Sequence, residues 1–248
     1  TENTCIKQIL NLMASKRTKI LAKSTLWTFK KNIPKKFSKH IKQSIPLYTE
    51  TQDIICGLSD FFLKEKSICY DLGSSTGTLL NKLSSRHITK KINFFGVEIV
   101  KEMITQAKKE NPFSKNVRYI NKDLNKIKFK NSDLMISSFT IQFIHPKYRQ
   151  QLINKIYKSL NWGGAFILFE KIRGPDARFQ DIFNQSYEDF KFSNKFSEKE
   201  ILNKSRSLKG VLEPFSEKGN LGLLKRAGFE DITTVYQWFC FKGLLCIK

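Results

Sequence analysis

The fold follows from one stretch of the chain, Ser67-Ile68-Cys69-Tyr70-Asp71-Leu72-Gly73-Ser74-Ser75-Thr76-Gly77. Its first six residues form a short apolar run, which is typical of a buried parallel strand. The glycines that follow allow a sharp turn and a close approach of the backbone to a ligand. A helix-like segment over 77–87 comes next, so the turn lies at a helix N-terminus, where open α/β sheets ordinarily bind ligands.

The same strand–helix alternation continues along the chain. Four further strands are predicted, at Ile92–Glu98, Val117–Asn121, Asp133–Phe139 and Ala165–Phe169. Helices are predicted over 100–110 and 147–160, the latter followed by Gly163–Gly164 as a stop. Alternation of this kind predicts right-handed βαβ crossovers and a parallel sheet with helices on both faces.

The two ends of the chain complete a Rossmann-like, seven-stranded α/β sheet. A helix over 217–227 precedes two β-rich stretches, Ile232–Tyr236 and Phe239–Ile247, which a short turn joins as an antiparallel hairpin. Residues 175–215 are predicted to form a helical cap inserted into the domain that spans 65–248. Residues 1–64 are predicted to form a helical segment packed on that domain, with helices within 1–24 and over 46–64.

Composition limits the class of protein. The formal net charge of +22 leaves a nucleic-acid partner open, but most of the 44 basic residues are Lys spread along the whole sequence. Five scattered cysteines without a C-x-x-C pair favour a reducing cytoplasm, and three isolated His residues predict no metal site. No run of eighteen apolar residues is present, so we expect no membrane-spanning helix.

Three acids at the ends of three successive strands predict the ligand. Asp71 offers a carboxylate to an ammonium group, Glu98 offers one to ribose hydroxyls, and Asp123 offers one to an adenine amino group. Ile99 and Leu124 are placed to enclose a flat base. The turn contains neither Gly-Lys-Ser/Thr nor G-x-G-x-x-G, so neither a P-loop nor a dinucleotide site is indicated. S-adenosylmethionine (SAM) fits, held also by Gly73, Ser74, Ser75 and Gly77.

His145 precedes Pro146 at a predicted helix start. It is a candidate general base, although a histidine before a proline that begins a helix is more often a structural residue. Both interpretations stay open at this point.

Several longer segments resemble the carboxy-S-adenosylmethionine (carboxy-SAM) synthase family of the class I SAM-dependent methyltransferase superfamily. They are Trp27-Thr28-Phe29, Gln43-Ser44-Ile45-Pro46-Leu47-Tyr48, Asp71-Leu72-Gly73, Phe139-Thr140-Ile141-Gln142-Phe143, Arg149-Gln150-Gln151-Leu152-Ile153-Asn154-Lys155-Ile156-Tyr157, Leu160-Asn161-Trp162-Gly163-Gly164-Ala165, Glu170-Lys171 and Lys225-Arg226-Ala227-Gly228-Phe229-Glu230. The resemblance implies a homodimer that converts SAM and prephenate to carboxy-SAM, which a partner enzyme uses to modify the wobble uridine of tRNA. It also implies that Gly73, Glu98, Asp123 and Leu124 line the SAM site, with Tyr48 near the sulfonium substituent.

The chain departs from the family at two positions. The Arg with which the family holds the added carboxylate falls on Ser205, next to Arg206, and a family Asn falls on Ser138. Because a step of one residue along a helix rotates the side chain by about 100°, Arg206 points in a different direction from a side chain at position 205. We therefore predict a SAM-dependent methyltransferase on this scaffold, which transfers the sulfonium methyl to an unidentified acceptor and leaves S-adenosylhomocysteine, with Tyr48, Ser138 and His145 contacting substrate.

Two alternatives remain. The first is carboxy-SAM synthesis with Arg206 in place of the family Arg. The second is a non-catalytic SAM-binding scaffold that binds RNA through its basic surface.

Overall fold

Residues 33–110 and 116–248 are described by a computed structural model. Its elements in chain order are α1 (Ile33–Ser44), α2 (Tyr48–Phe62), β1 (Ile68–Leu72), α3 (Thr78–Arg86), β2 (Asn93–Glu98), α4 (Lys101–Glu110), β3 (Val117–Asn121), β4 (Ser132–Ser138), a 3₁₀ turn (Ile141–Phe143), α5 (Pro146–Ser159), β5 (Leu160–Lys171), α6 (Ala177–Ser193), α7 (Glu198–Ser207), α8 (Glu217–Ala227), β6 (Asp231–Trp238) and β7 (Phe241–Ile247). The helix predicted within 1–24 lies outside the described residues. No helix in the described part of the chain is long and apolar enough to cross a membrane.

The strands form one seven-stranded sheet in the order β3-β2-β1-β4-β5-β7-β6. Strands β1 to β5 run parallel, whereas β7 runs antiparallel to both β5 and β6. The predicted Rossmann-like sheet with a C-terminal antiparallel hairpin is confirmed. Because Asp71 pairs with Gly96, and Glu98 with Asn121, the carboxyl ends of β1, β2 and β3 meet at one edge of the sheet.

Strand β5 begins five residues earlier than the sequence pattern predicts. Helix α5 ends at Ser159, and Leu160 already has extended backbone angles and pairs with Ser132. The glycines at 163 and 164 therefore lie inside the strand range, and the prediction that they stop the helix is wrong. The two glycines lie where the pairing of β5 with β4 is irregular. Gly163 has φ +73, and a Cβ on Gly164 would lie 3.0 Å from Asp133 O, so this backbone conformation favours glycine.

Helices cover both faces of the sheet. One buried cluster joins Ile55 and Leu63 at helix α2 to Phe94 and Phe169 of the strands. The other cluster lies on the opposite face and includes residues of α5 and α8, among them Leu152, Ile156 and Leu224. This three-layer arrangement leaves the carboxyl edge of the parallel strands open, next to α1, α6 and α7.

Helices α6 and α7 lie within the stretch predicted as a cap. α6 has no fully buried residue and α7 has only Ile201. Low burial of this kind is typical of helices that cover a site rather than build a core. The division of the chain into 1–64, 65–248 and a cap over 175–215 stays a prediction.

Candidate functional site

The turn after β1 requires glycine at two positions. Gly73 has φ +86, and a Cβ there would lie 2.3 Å from Thr140 Oγ1. Gly77 has φ +75, and a Cβ there would lie 2.1 Å from the Tyr119 hydroxyl oxygen. L-residues rarely adopt this backbone region, so both glycines allow a tight turn that a side chain would prevent. Hydrogen bonds from the Gly73 and Ser74 N–H groups to Val97 O, at 2.8 and 3.1 Å, fix the turn against β2.

Glu98 connects the end of β2 to this turn. Its Oε2 accepts the Ser75 N–H at 3.0 Å, and its Oε1 accepts the Val100 N–H at 2.9 Å. Burial raises the pKa of Glu98, while these backbone hydrogen bonds act in the opposite direction. Each carboxylate oxygen has a second lone pair, so the group can also accept hydrogen bonds from a ribose.

Asp71 is buried at the end of β1, with 3% of its surface exposed. Burial, and secondarily the charge of Glu98, raises the pKa of Asp71 to about 7. An ammonium group placed beside the carboxylate would favour its ionised form. The position therefore suits the amino group of an amino-acid ligand.

The third acid forms the far side of the site. Asp123 Oδ1 accepts the backbone N–H and the side-chain amide of Asn125, at 2.8 and 3.0 Å. Leu124 beside it is buried, while Ile99 is 65% exposed. An exposed apolar side chain opposite a buried one provides the two surfaces between which a flat base packs.

Tyr48 and Ser138 lie at the middle of the site. The Tyr48 hydroxyl accepts a hydrogen bond from Gln52 Nε2 at 3.1 Å, and its ring lies 6.4 Å from that of Phe139. Burial raises the pKa of Tyr48, and the charge of Asp71 adds to this effect, so the phenol stays protonated. The Ser138 Oγ is buried and has no hydrogen-bond partner within the described part of the chain.

These residues surround one cavity of about 520 Å³. Of the residues predicted to bind SAM, Gly77 is not part of the cavity wall; the wall contains Tyr48, Asp71, Gly73, Ser74, Ser75, Glu98, Ile99, Asp123, Leu124 and Ser138. The volume lies within the range of small-molecule sites. SAM fits the features of this cavity, which are the glycine turn after β1, the three carboxylates and the apolar surfaces for a base. The ligand-binding role of each residue stays a prediction.

Two predicted catalytic residues have other surroundings. His145 lines the cavity, but it is also the N-cap of α5, where its Nδ1 accepts the Lys147 N–H at 3.3 Å. Arg206 is exposed on α7 and is not among the cavity-lining residues. The structure places Lys204 in the wall instead, two positions earlier on the same helix.

The sequence reasoning missed a basic and aromatic part of the wall. It consists of His40, Ser44, Lys171, Tyr187, Lys204 and Phe241. These residues come from α1, β5, α6, α7 and β7, so no local sequence pattern joins them. The sequence indicated only two of them, Ser44 in the Gln43–Tyr48 segment and Lys171 in the Glu170-Lys171 segment.

Hydrogen bonds join three of the segments that carry the family resemblance, namely those that contain Gln142, Arg149 and Glu170. Glu170 Oε1 accepts the Ile141 N–H at 3.1 Å, and Gln142 Oε1 accepts the Lys171 N–H at 2.8 Å. Arg149 is buried and donates to the Gln142 and Ile144 carbonyl oxygens at 3.0 and 2.8 Å. Burial raises the pKa of Glu170 to about 8, although the charge of Arg149 acts in the opposite direction.

Comparison with known proteins gives the class first. A family model described as a methyltransferase domain matches residues 69–164. A putative O-methyltransferase from Nostoc punctiforme has the same fold, with a TM-score of 0.63 and 15% identity over 87% of this chain and 59% of that chain. Human N-acetylserotonin methyltransferase, solved with SAM, has a TM-score of 0.53 and 18% identity over 90% of this chain and 60% of that chain. The chain is a SAM-dependent transferase with the class I methyltransferase fold.

Curated relatives then give the family. Carboxy-S-adenosyl-L-methionine synthase of Staphylococcus epidermidis is 37% identical over 223 residues, which cover 90% of this chain and 97% of the relative. The enzymes of the same name from Desulfotalea psychrophila and Campylobacter lari are 34% and 32% identical and cover 91% and 94% of their own lengths. In both alignments 89% of this chain is covered. The chain belongs to the carboxy-S-adenosyl-L-methionine synthase family, which confirms the resemblance stated above.

Proposed function

We propose that this protein synthesises carboxy-SAM from SAM and prephenate. The observation that carries the proposal is the distribution of charge along the cavity wall. Asp71, Glu98 and Asp123 make one part acidic, whereas Lys171 and Lys204 make the other part basic; the two further lysines of the wall, Lys42 and Lys122, are exposed to solvent. A sulfonium ligand that gains a carboxylate needs both kinds of partner. The family membership supports the same reaction.

The acidic part would hold SAM. Glu98 would accept the ribose hydroxyls, Asp123 the adenine amino group, and Asp71 would pair with the methionine ammonium group. Tyr48 and Phe139 would then flank the sulfonium methyl, which SAM supplies in an already activated form. The chain's own contribution is to hold that carbon beside the second substrate and to exclude water.

The proposed reaction balances without a further reactant. Prephenate loses its ring carboxyl group and its hydroxyl group to give phenylpyruvate. The carboxyl carbon forms a bond to the methyl carbon of SAM. The proton lost from that methyl carbon ends, with the departing hydroxyl, as water.

The basic part of the wall would compensate the negative charge of the new carboxylate. An isolated carboxylate in a closed cavity carries a large desolvation cost unless a cation and hydrogen bonds accompany it. Arg206 is exposed and lies outside the wall, so we assign this task to Lys171 and Lys204 instead of Arg206.

Methyl transfer to an unidentified acceptor is the second candidate. It is favoured by Ser205 and Ser138, which stand where the family has Arg and Asn. This candidate needs a base for the acceptor, and the Nδ1 of His145 already accepts a backbone hydrogen bond. A neutral acceptor would also leave the charges of Lys171 and Lys204 uncompensated by substrate.

The test is incubation of the purified full chain with SAM and prephenate, followed by mass spectrometry of the nucleosides. We expect carboxy-SAM and an equal amount of phenylpyruvate. Consumption of SAM to S-adenosylhomocysteine, without carboxy-SAM, would instead support methyl transfer. Salt-sensitive RNA binding with no turnover of either kind would support a scaffold role.

We also propose that the chain forms a homodimer and that its product serves an enzyme of tRNA wobble-uridine modification. Phe179 and Ile182 of α6 are 44% and 49% exposed, which supports a further contact on this helix. Light scattering of the purified protein measures the mass. A monomer at micromolar concentration would contradict the dimer.

A further inference from the structure

Lys171 carries its ammonium group into an aromatic part of the cavity wall. Its Nζ lies 4.2 Å from the centre of the Tyr187 ring and 6.0 Å from that of Phe241. No hydrogen bond and no ion pair within the described residues involves this Nζ. Burial lowers the pKa of Lys171. An ammonium group that is partly withdrawn from water and has no hydrogen-bond acceptor among the described residues is incompletely compensated, and an anionic ligand group would compensate it.

Lys204 lies in the same wall and is held by two polar side chains of α1. Its Nζ lies 2.7 Å from His40 Nε2 and 2.9 Å from Ser44 Oγ. Because an ammonium group is only a donor, His40 must accept at Nε2 and therefore carries no charge. Burial and the charge of Lys204 lower the pKa of His40 to about 4, in agreement with this assignment. The pair thus has one positive charge, located on Lys204.

The surroundings of these two lysines add positive charge. Burial lowers the pKa of Lys204 to about 8, and the charges of Lys191 and Lys171 contribute to this shift. Lys191 Nζ lies over the Tyr187 ring at 4.3 Å but is not part of the cavity wall. Glu188, whose charge acts on Lys171, and Glu200, whose charge acts on His40, are exposed and also lie outside the wall. The part of the wall around Lys171 and Lys204 therefore carries positive charge without an acid of its own.

We infer that Lys171 and Lys204 form the carboxylate subsite of this chain. They take the place of the Arg that the family would have at Ser205, which is exposed on α7. One residue along this helix turns the side chain by about 100°, so the wall position belongs to Lys204 and not to Ser205 or Arg206. The ligand group is the carboxylate on the sulfonium substituent, so the inference rests on the proposed function.

The subsite is tested by calorimetric titration of the full chain with SAM and with synthetic carboxy-SAM. The wild type should bind carboxy-SAM more tightly. Lys171→Met and Lys204→Met each remove a charge-assisted contact and should reduce that preference by about tenfold or more, while SAM affinity changes by less than about threefold. Lys171→Gln and Lys204→Gln repeat the test with polar replacements, should a methionine variant fail to fold.

Lys191→Met is the matched control, because it removes a positive charge beside the same Tyr187 ring from outside the cavity. It should retain most of the preference. The inference is overturned if the wild type binds the two nucleosides equally, or if the lysine variants keep the preference while Arg206→Ala loses it. Preference without turnover of prephenate would refute the proposed function alone, whereas turnover with unchanged preference in the variants would refute the subsite alone.

Discussion

Glu98→Gln tests how one carboxylate both shapes the turn after β1 and binds the ligand. In the wild type, each carboxylate oxygen accepts one backbone N–H, from Ser75 at 3.0 Å and from Val100 at 2.9 Å. Glutamine has only one oxygen, so its NH₂ group must face one of these donors. The variant therefore loses one backbone hydrogen bond and one acceptor for the ribose.

The magnitude follows from these contacts. A hydrogen bond to a charged group contributes about 1.5–3 kcal/mol, and a donor left without a partner has a similar cost. Burial raises the pKa of Glu98, so removal of its charge recovers part of that desolvation cost. We expect a net loss of about 2 kcal/mol in SAM binding, which is roughly 30-fold in Kd.

Isothermal titration with SAM measures the effect. Glu102→Gln is the matched control, because Glu102 is exposed in the first turn of α4 and lies outside the cavity wall. Its SAM affinity should match that of the wild type. A Kd for Glu98→Gln within about threefold of the wild-type value would refute the reasoning, because the turn would then not depend on the carboxylate.

Three further predictions concern stability and pH. Gly77→Ala puts an L-residue at φ +75 with its Cβ 2.1 Å from the Tyr119 hydroxyl oxygen. Because both the conformation and the close contact are unfavourable, urea titration should show a fall of about 1–3 kcal/mol in the free energy of unfolding. Gly57→Ala, inside α2 where nothing lies within 4 Å, should cause no fall, and equal destabilisation of the two would contradict the argument. Burial raises the pKa of Glu170 from 4.5 to about 8, so the wild type should lose stability as the pH rises through that window, because the unfolded chain ionises first. Glu170→Gln should lose less over the same range, and parallel melting curves for the two proteins would contradict this. Burial, with the charges of Lys191 and Lys171, lowers the pKa of Lys204 to about 8. The preference for carboxy-SAM over SAM should therefore decline as the pH rises through that value, because Lys204 loses its positive charge. A preference that stays constant with pH would be inconsistent with the lysine subsite.

The sequence predicted the parts of the fold and site that depend on neighbouring residues. Alternation of apolar runs with helical segments predicted a parallel sheet, and the acids at the ends of successive strands were expected to meet at its carboxyl edge. This holds because parallel strands in register bring their ends together, as Asp71 and Glu98 show. The start of β5 was missed because its glycines resemble a helix stop, although Leu160 is already paired with Ser132.

The basic part of the site could not be predicted from neighbouring residues in the sequence. His40 and Lys204 are 164 positions apart in the chain but lie 2.7 Å apart in the structure. The residues next to Lys204, Ser205 and Arg206, drew the sequence analysis to this helix, but nothing in the sequence connects it to His40. The choice among Lys204, Ser205 and Arg206 depends on the rotation of α7 about its axis, which packing fixes and a sequence alignment cannot.

An aromatic series between the two parts explains how opposite charges coexist in one cavity. Phe139 has φ +58, a conformation that costs about 1–2 kcal/mol in an L-residue, and hydrogen bonds from its N–H to Phe169 O at 2.7 Å and from Gln142 Nε2 to its own carbonyl at 3.2 Å hold it there. Its ring contacts Tyr48 on the side of Asp71 and Phe241 on the side of Lys171. Among the described residues no ion pair joins Asp71 to Lys171. An ion pair between this carboxylate and this ammonium group would neutralise both charges, so their separation leaves each of them able to compensate the opposite charge of a ligand.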